Sequence, residues 1–576
     1  MLSLAMNYQF SKLSPMSYYF TNIVIHVFNA CLVFFLVLML LQKMENKGYG
    51  AIPGKEWLSA FAALCFGIHP LHVESVSWLT ERKDVLYCFF YFLALIAYVK
   101  YTNNSKIKWL VYTFVLFICS LLSKPLAVVF PFSLFAFDVL LWRKVNRKLF
   151  IEKIPFFLVS VLAGLLAWDG QKADGTLPAY DPYSFFQRIL LASNNFMMYF
   201  IKAFVPFNLS SFYPFPNIAS DGVLPGVYYI SLLANVSMLS IVIYRSYKAG
   251  EKYLRVVIFG FAFFFFNLMY VLQFIPFGLT VRSDRYTYVA YFGIFFAVVY
   301  FIHELWQKAS VSKGLIQVGT ILFVCVLGYQ CYGRTKVWHN TVTLWTDVLQ
   351  QYPEVGVAYN YLGSYYFNYG DPDKALDYYK KAIQLHTFAA KAYSNIGNIY
   401  AVRKQVGESF EAYKESLKLD STDYITYLNI GVTYSSIGKY DSAEMEYEQA
   451  YRLNPKSEKV LHAMATNCLD RKQFSKAAEE YKKLIAVDPD VSEYYEQLGI
   501  AEGSAGNAAN AITDFNHALE MDPNSSSCMF NLSVMYDKMQ NYASALTYAL
   551  RARQAGYQVP SSYISDLQQR VNSLPK

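Results

Sequence analysis

DYITYLNIGVTYSSIGKYDSAEMEYEQAYRLNPK occupies residues 423–456, and its internal marks decide the fold of the second half of the chain. Gly431 and Ala443 are small residues of the kind found where two helices touch. Tyr447 is an aromatic placed to pack beside them, and Pro455 stands where a second helix must stop. Moving outward by 34 residues at a time, the small residue returns at Gly363, Gly397, Ala465, Gly499 and Ser533. Its partner returns at Ala375, Ser409, Ala477, Ala511 and Ala545, the aromatic at Tyr379, Tyr413, Tyr481 and Phe515, and proline at Pro353, Pro489 and Pro523. A fixed period of this length means stacked helix pairs that bury a core only against their neighbours.

The period and its marks describe tetratricopeptide repeats, six of them over residues 356–559. His339 to Gln351 ends at Pro353 in the same phase and reads as a lone second helix, within a linker of 333–355 that docks the array and does not tether it loosely. Ser561 to Leu574 reads as a polar capping helix in a terminal segment of 560–576. Such a solenoid presents a groove lined by the first helix of each repeat. Asn395, Asn429 and Asn531 share one repeat position and can hold the backbone of an extended acceptor peptide; solvated helix-face residues are the plainer alternative. His386, His462 and His517 are isolated and Cys468 and Cys528 have no partner, so neither metal binding nor catalysis is expected in this half.

Residues 1–332 have a different composition. The chain has 576 residues, 55% of them apolar, with a net charge of +8. That charge divides into +12 for residues 1–332, from 26 Lys+Arg and 14 Asp+Glu, and −4 for the remainder. The division removes any case for nucleic acid as partner. Apolar runs of membrane-crossing length lie at about 18–42, 84–102, 108–123, 125–142, 152–168, 225–245, 254–276, 286–305 and 314–332, and a tenth runs from Trp57 to His69. Residues 185–205, broken by Gln187, Arg188, Asn194, Asn195 and Lys202, predict an amphipathic helix in the interface. The fold class is therefore all-α: a polytopic membrane bundle over 1–332, then an α-solenoid.

Five loops, 43–56, 100–108, 143–153, 245–255 and 308–313, hold 17 of the 26 positive charges, which assigns them to the cytoplasmic face. The repeats then lie outside the cytoplasm, in the periplasm of a bacterium or the lumen of the endoplasmic reticulum. Cys31, Cys65, Cys88, Cys119, Cys325 and Cys331 lie in or beside apolar runs with no metal-binding spacing. No cleavable leader is legible at Met1 to Ser17.

Chemistry concentrates on the outer side. His69, His72 and Glu74, in HPLHVE, supply two imidazoles and a carboxylate within six residues, a set suited to a divalent metal on His72 and Glu74 or to acid–base work. Arg82, Lys83, Lys124, Arg282 and Arg285 are cations on the side where the charge rule disfavours them, and a phosphate-binding role explains them. Anchoring of helix ends and an internal Arg–Asp pair are the simpler readings. Asn22, His26 and Asn29 form a polar stripe whose better explanation is hydrogen bonding between helices. Gly-rich nucleotide loops, nucleophile elbows and HExxH are absent.

SPMSYYFTNIVIHVFNA (14–30), HPLHVESVSWLTERKD (69–84), LLSKPLAVVFPF (121–132), EKIPFF (152–157), LSSFYPFP (209–216) and SDRYTYV (283–289), followed by the repeats, resemble the transmembrane and tetratricopeptide repeat-containing O-mannosyltransferase family. The resemblance implies a membrane glycosyltransferase fold of the GT-C type, a polyprenyl-phosphate sugar as donor, and Ser/Thr acceptors on extracytoplasmic proteins. It further implies a preceding span and an outer loop carrying a catalytic acid. Residue 1 falls at what resembles the tail of that loop and the first acidic residue is Glu45, so a late start or a truncated gene is expected. Sugar transfer, a catalytically silent scaffold built on the repeats and, more weakly, lipid transport are the functions these residues allow.

Overall fold

The structure, a computed structural model, describes residues 2–173, 182–218, 222–276, 278–308, 312–386 and 388–573. Parts of the expected outer stretch 169–224, of the loop 308–313 and of the terminal tail fall outside the described residues. The described chain is helical throughout, without a named strand; a single antiparallel bridge joins Tyr213 to Arg282. It divides into two compact units, Met1–Ala358 and Tyr359–Lys576.

The N-terminal unit runs α1 (Leu2–Ser11), α2 (Pro15–Met44), α3 (Lys55–Gly67), α4 (Val73–Ser77), α5 (Arg82–Asn104), α6 (Ile107–Ser123), α7 (Phe130–Leu140), α8 (Arg147–Ile151), α9 (Ile154–Ala173), α10 (Phe185–Lys202), α11 (Gly226–Ala249), α12 (Glu251–Leu268), α13 (Thr287–Gln307), α14 (Lys313–Val337) and α15 (Thr341–Gln351). Among the described residues, seven stretches are long and apolar enough to cross a membrane: Pro15–Tyr49, Leu79–Asn104, Arg147–Gly170, Gly226–Ala249, Glu251–Val271, Asp284–Gln307 and Lys313–Val337. The other three expected spans form shorter helices. α3 has 13 residues, halted before Pro70. α6 has 17, halted at Lys124 because a residue before proline is pushed out of the helical region.

The expected interfacial helix, α10, also differs. It buries Arg188, Asn194 and Asn195 together with Leu190, Leu191 and Tyr199, so its polar side faces protein. Asn194 donates to Ser231 Oγ at 2.9 Å and Asn195 to the Val281 carbonyl at 2.7 Å. α15 packs within this unit: Asp347 pairs with Arg334 at 2.9 Å, and Gln351 donates to the Leu209 carbonyl at 2.8 Å.

The second unit is a stack of helix pairs: α16 (Gly356–Asn368) with α17 (Pro372–Gln384), α18 (Ala389–Val402) with α19 (Val406–Leu419), α20 (Tyr424–Ser436) with α21 (Tyr440–Leu453), α22 (Glu458–Asp470) with α23 (Phe474–Val487), α24 (Ser492–Ser504) with α25 (Ala508–Met521), and α26 (Ser526–Lys538) with α27 (Tyr542–Gln554). α28 (Ser561–Asn572) follows and buries Ile564 and Leu567. The small first-helix residue is needed because a Cβ at Gly499 would sit 2.7 Å from the Phe515 ring. The turn within each pair has a second repeating demand. Gly370, Lys404, Gly438, Lys472, Gly506 and Gln540, again 34 apart, all have φ between 57° and 94°. This left-handed residue ends the first helix and redirects the chain into the second.

Candidate functional site

The motifs of residues 14–30, 69–84, 121–132, 209–216 and 283–289 are linked in a chain of hydrogen bonds and ion pairs. Pro70 starts a short 3-10 turn and α4 follows it, which turns Glu74 inward to 2% exposure. Glu74 Oε1 accepts from Ser283 Oγ at 2.9 Å, Oε2 accepts from the Arg285 backbone N–H at 3.1 Å, and the Arg285 guanidinium closes an ion pair on Oε1. Residues 69–84 and 283–289 are thereby locked together. Tyr213 ties in 209–216: its hydroxyl donates to Asp284 Oδ1 at 2.8 Å, and Val281 N–H donates to its carbonyl at 3.0 Å.

The cations expected to receive phosphate are mostly engaged. Lys124 pairs with Asp84 and lies 3.6 Å from Glu81 Oε2. Arg285 reaches Glu81 at 3.9 Å and lies 5.2 Å above the Trp78 ring. Arg82, 2% exposed, has another task. Its guanidinium donates to Asn22 Oδ1 at 2.8 Å, to the Ser3 and Tyr18 carbonyls at 2.9 and 3.0 Å, and to Asn7 Oδ1. Arg82 is thus a tie between α5 and the first two helices, pointing away from the carboxylates. Lys83 is exposed and reaches Glu81 at 3.3 Å. Arg282 stacks 4.5 Å over Tyr213 and lies 3.5 Å from Asn194 Oδ1, with no carboxylate within ion-pair distance among the described residues.

His69 and His72 do not share a centre with Glu74. His69 caps the 3-10 turn by accepting from Leu71 N–H, with Nε2 3.4 Å from the Ala203 carbonyl. His72 Nδ1 donates to the Phe66 carbonyl at 2.8 Å, and the ring packs against Phe66, Tyr288 and His69. Burial holds the His72 imidazole well below its usual pKa, so it is neutral. Both Glu74 oxygens are engaged, the imidazoles face an aromatic core, and no three His, Cys, Asp or Glu side chains among the described residues converge to hold an ion, so a metal on His72 and Glu74 gains no support from this geometry. The stripe on α2 bonds across helices, as its spacing suggested. Asn29 donates to the Val85 carbonyl at 2.8 Å, and His26 lies 2.8 Å from the Gly67 carbonyl and bonds the Tyr288 hydroxyl.

In the repeats, Asn395 lies on α18, Asn429 on α20 and Asn531 on α26, each half-buried. Asn429 lines a cleft of about 350 Å³ with Glu458, Lys459, His462 and Tyr494. An adjoining cleft of about 450 Å³ shares His462 and reaches Asn467 and Asp470. The Asn467 Oδ1 is buried without a hydrogen-bond partner among the described residues. Spacing by 34 could not find His462, Asn467 or Tyr494, because none recurs at its repeat position. Equally hidden was a buried ionic knot at the other end of the bundle. There Asp138 pairs with Lys153 at 2.6 Å and Arg143 at 3.2 Å, and Glu152 pairs with both cations.

Tetratricopeptide-repeat models match residues 356–386, 388–456, 436–498 and 496–560. Protein O-mannosyl-transferase Tmtc1 of Drosophila melanogaster is 31% identical over 127 residues, 22% of this chain and 13% of that protein. Protein O-mannosyl-transferase TMTC2 of Mus musculus is 27% identical over 213 residues, 33% of this chain and 24% of that protein. The chain carries tetratricopeptide repeats and is similar over part of its length to these O-mannosyl-transferases. The chain spans about a quarter or less of the length of those relatives. Among solved structures, YrrB, described as a TPR protein with an unusual peptide-binding site, is 21% identical over 34% of this chain and 98% of its own, with a TM-score of 0.29. Pseudomonas aeruginosa pilF is 16% identical over 38% of this chain and 98% of its own, with a TM-score of 0.33.

Proposed function

We propose that this protein is a multi-pass membrane sugar transferase. It moves a sugar from a polyprenyl-phosphate donor to Ser/Thr of extracytoplasmic proteins, and its repeats recruit the acceptor. The observation that carries this reading is the meeting of Glu74, Glu81 and Asp84 with Arg285 and Lys124, next to relatives named protein O-mannosyl-transferases. Ionisable groups gathered at membrane depth are costly and are kept where they serve function. In the reaction, the acceptor hydroxyl gives its proton to a carboxylate while its oxygen attacks the anomeric carbon, and the lipid phosphate leaves. Glu81 suits the base role better than Glu74, because Glu81 Oε2 is buried with no hydrogen-bond donor among the described residues while both Glu74 oxygens are engaged. Lys124, Arg285, Lys83 and Arg282 stabilise the phosphate charge. Arg82 is a positioning residue.

A second reading has its own observation. Lys124 and Arg285 already have carboxylate partners, a closed arrangement that also suits a silent membrane scaffold whose repeats hold a partner protein. Sugar transfer from a polyprenyl-phosphate sugar, assayed in membranes, separates the two. Glu81→Gln is expected to lower kcat by about 100-fold or more with protein level unchanged. Unchanged transfer, or none in the parent chain, together with loss of partner capture in Asn429→Ala and His462→Ala, overturns the transferase in favour of the scaffold.

A further inference from the structure

At the end of the bundle opposite the carboxylate cluster lies a cleft of about 240 Å³. It forms where the start of α3 meets the end of α13 and the second turn of α14. Trp57 and Trp306 stand 5.9 Å apart, and Gly54, His303 and Gln317 complete the lining. His303 is 4% exposed and its Nδ1 has no hydrogen-bond partner among the described residues. A buried polar atom left unpartnered in a cleft wall is costly unless a ligand or water meets it.

The charges around the cleft indicate the sign of the ligand. Glu45 is matched by Lys55 at 2.7 Å and by the Ile52 N–H at 2.8 Å, and Glu304 by Lys252 at 3.4 Å and the Tyr253 hydroxyl at 2.7 Å. Lys313 has no carboxylate partner among the described residues and sits 5.8 Å from the Trp306 ring. Glu56, exposed in the first turn of α3, also has no cation within ion-pair distance among the described residues, so the positive sign rests on Lys313 together with the starts of α3 and α14, which add the positive ends of two helix dipoles. A cleft of this size holds a phosphate-bearing headgroup and leaves no room for acyl chains. Those chains have a surface outside it: Leu315, Val318, Ile321 and Leu322 of α14 are each more than 60% exposed. Tryptophans at such a level are the usual neighbours of headgroups.

We infer that Trp57, His303, Trp306, Gln317 and Lys313 form a binding site for the phosphate headgroup of an anionic lipid. This rests on the N-terminal unit being in a membrane and is independent of sugar transfer. It is tested on the full-length chain in detergent, by native mass spectrometry with added phosphatidylglycerol and with phosphatidylcholine as the zwitterionic control. One phosphatidylglycerol is expected to be retained in preference to phosphatidylcholine. Lys313→Glu, on an exposed first turn that the fold does not depend on, is expected to lower retention about fivefold or more, and Trp57→Leu to lower it as well. Equal retention of the two lipids, or undiminished retention in Lys313→Glu, overturns the site. Displacement of the lipid by millimolar inorganic phosphate overturns the lipid assignment in favour of a soluble phosphate ligand. Because retention is read without a sugar donor, failure here leaves the transferase reading standing, and the reverse also holds.

Discussion

At the scale of single residues, environment decides what each charge does. Arg82 and Lys83 are adjacent in sequence and look interchangeable as phosphate ligands. One is buried with four hydrogen-bond partners and the other is exposed, because a helix turns neighbouring side chains about 100° apart. Asp514, on α25, shows the same dependence with a measurable consequence. Burial, reinforced by the nearby Glu502, lifts its pKa to about 6. A carboxyl raised in the folded state favours folding below its unfolded pKa of about 3.9, and that contribution is lost as pH rises through about 6. Asp514→Asn is accordingly expected to raise the melting temperature at pH 7.5 and to give no gain at pH 4. A gain of equal size at both pH values sinks this account.

At the scale of elements, the repeats were legible because small residue, aromatic and proline mark every turn of a 34-residue period. The left-handed turn position was not, since glycine fills it only at Gly370, Gly438 and Gly506 while Lys404, Lys472 and Gln540 hold the same backbone. A residue with a Cβ is strained there by about 1 kcal/mol. Lys472→Gly is therefore expected to stabilise the array by about 0.5–1 kcal/mol, seen as a higher unfolding midpoint in denaturant at unchanged m-value. No gain, or a loss, would mean that the Lys472 turn is relaxed as it stands. The apolar runs of the first half were legible for a similar reason, since each is a local property of about 20 residues. Their lengths were less so: α3 and α6 end early at proline-bearing turns whose tightness depends on what packs beside them.

At the scale of the molecule, the expected topology rests on charge placement, and some of the counted charges also meet partners inside the bundle. Lys43, Arg143 and Lys153 are held in the helix bundle, Arg143 and Lys153 by Asp138 and Glu152. Removing them from the seventeen leaves fourteen, still most of the positive charge of residues 1–332, on which the expectation of cytoplasmic loops rests. In sealed inside-out vesicles a tag after Lys576 is expected to be protected from protease and a tag between Lys144 and Arg147 to be cut. The opposite pattern would place the repeats in the cytoplasm and remove the case for an extracytoplasmic acceptor.

The sequence by itself determined the helix-pair solenoid and the run of apolar helices, because periodicity and hydropathy are sums over near neighbours. Only the tertiary structure decided which charges meet. Glu74 and Arg285 lie 211 residues apart, and His72, two residues from Glu74, faces an aromatic core instead. The reason is physical: hydrogen bonds and ion pairs are decided within a few ångströms, and separation along the chain says nothing about which of many similar side chains will come that close.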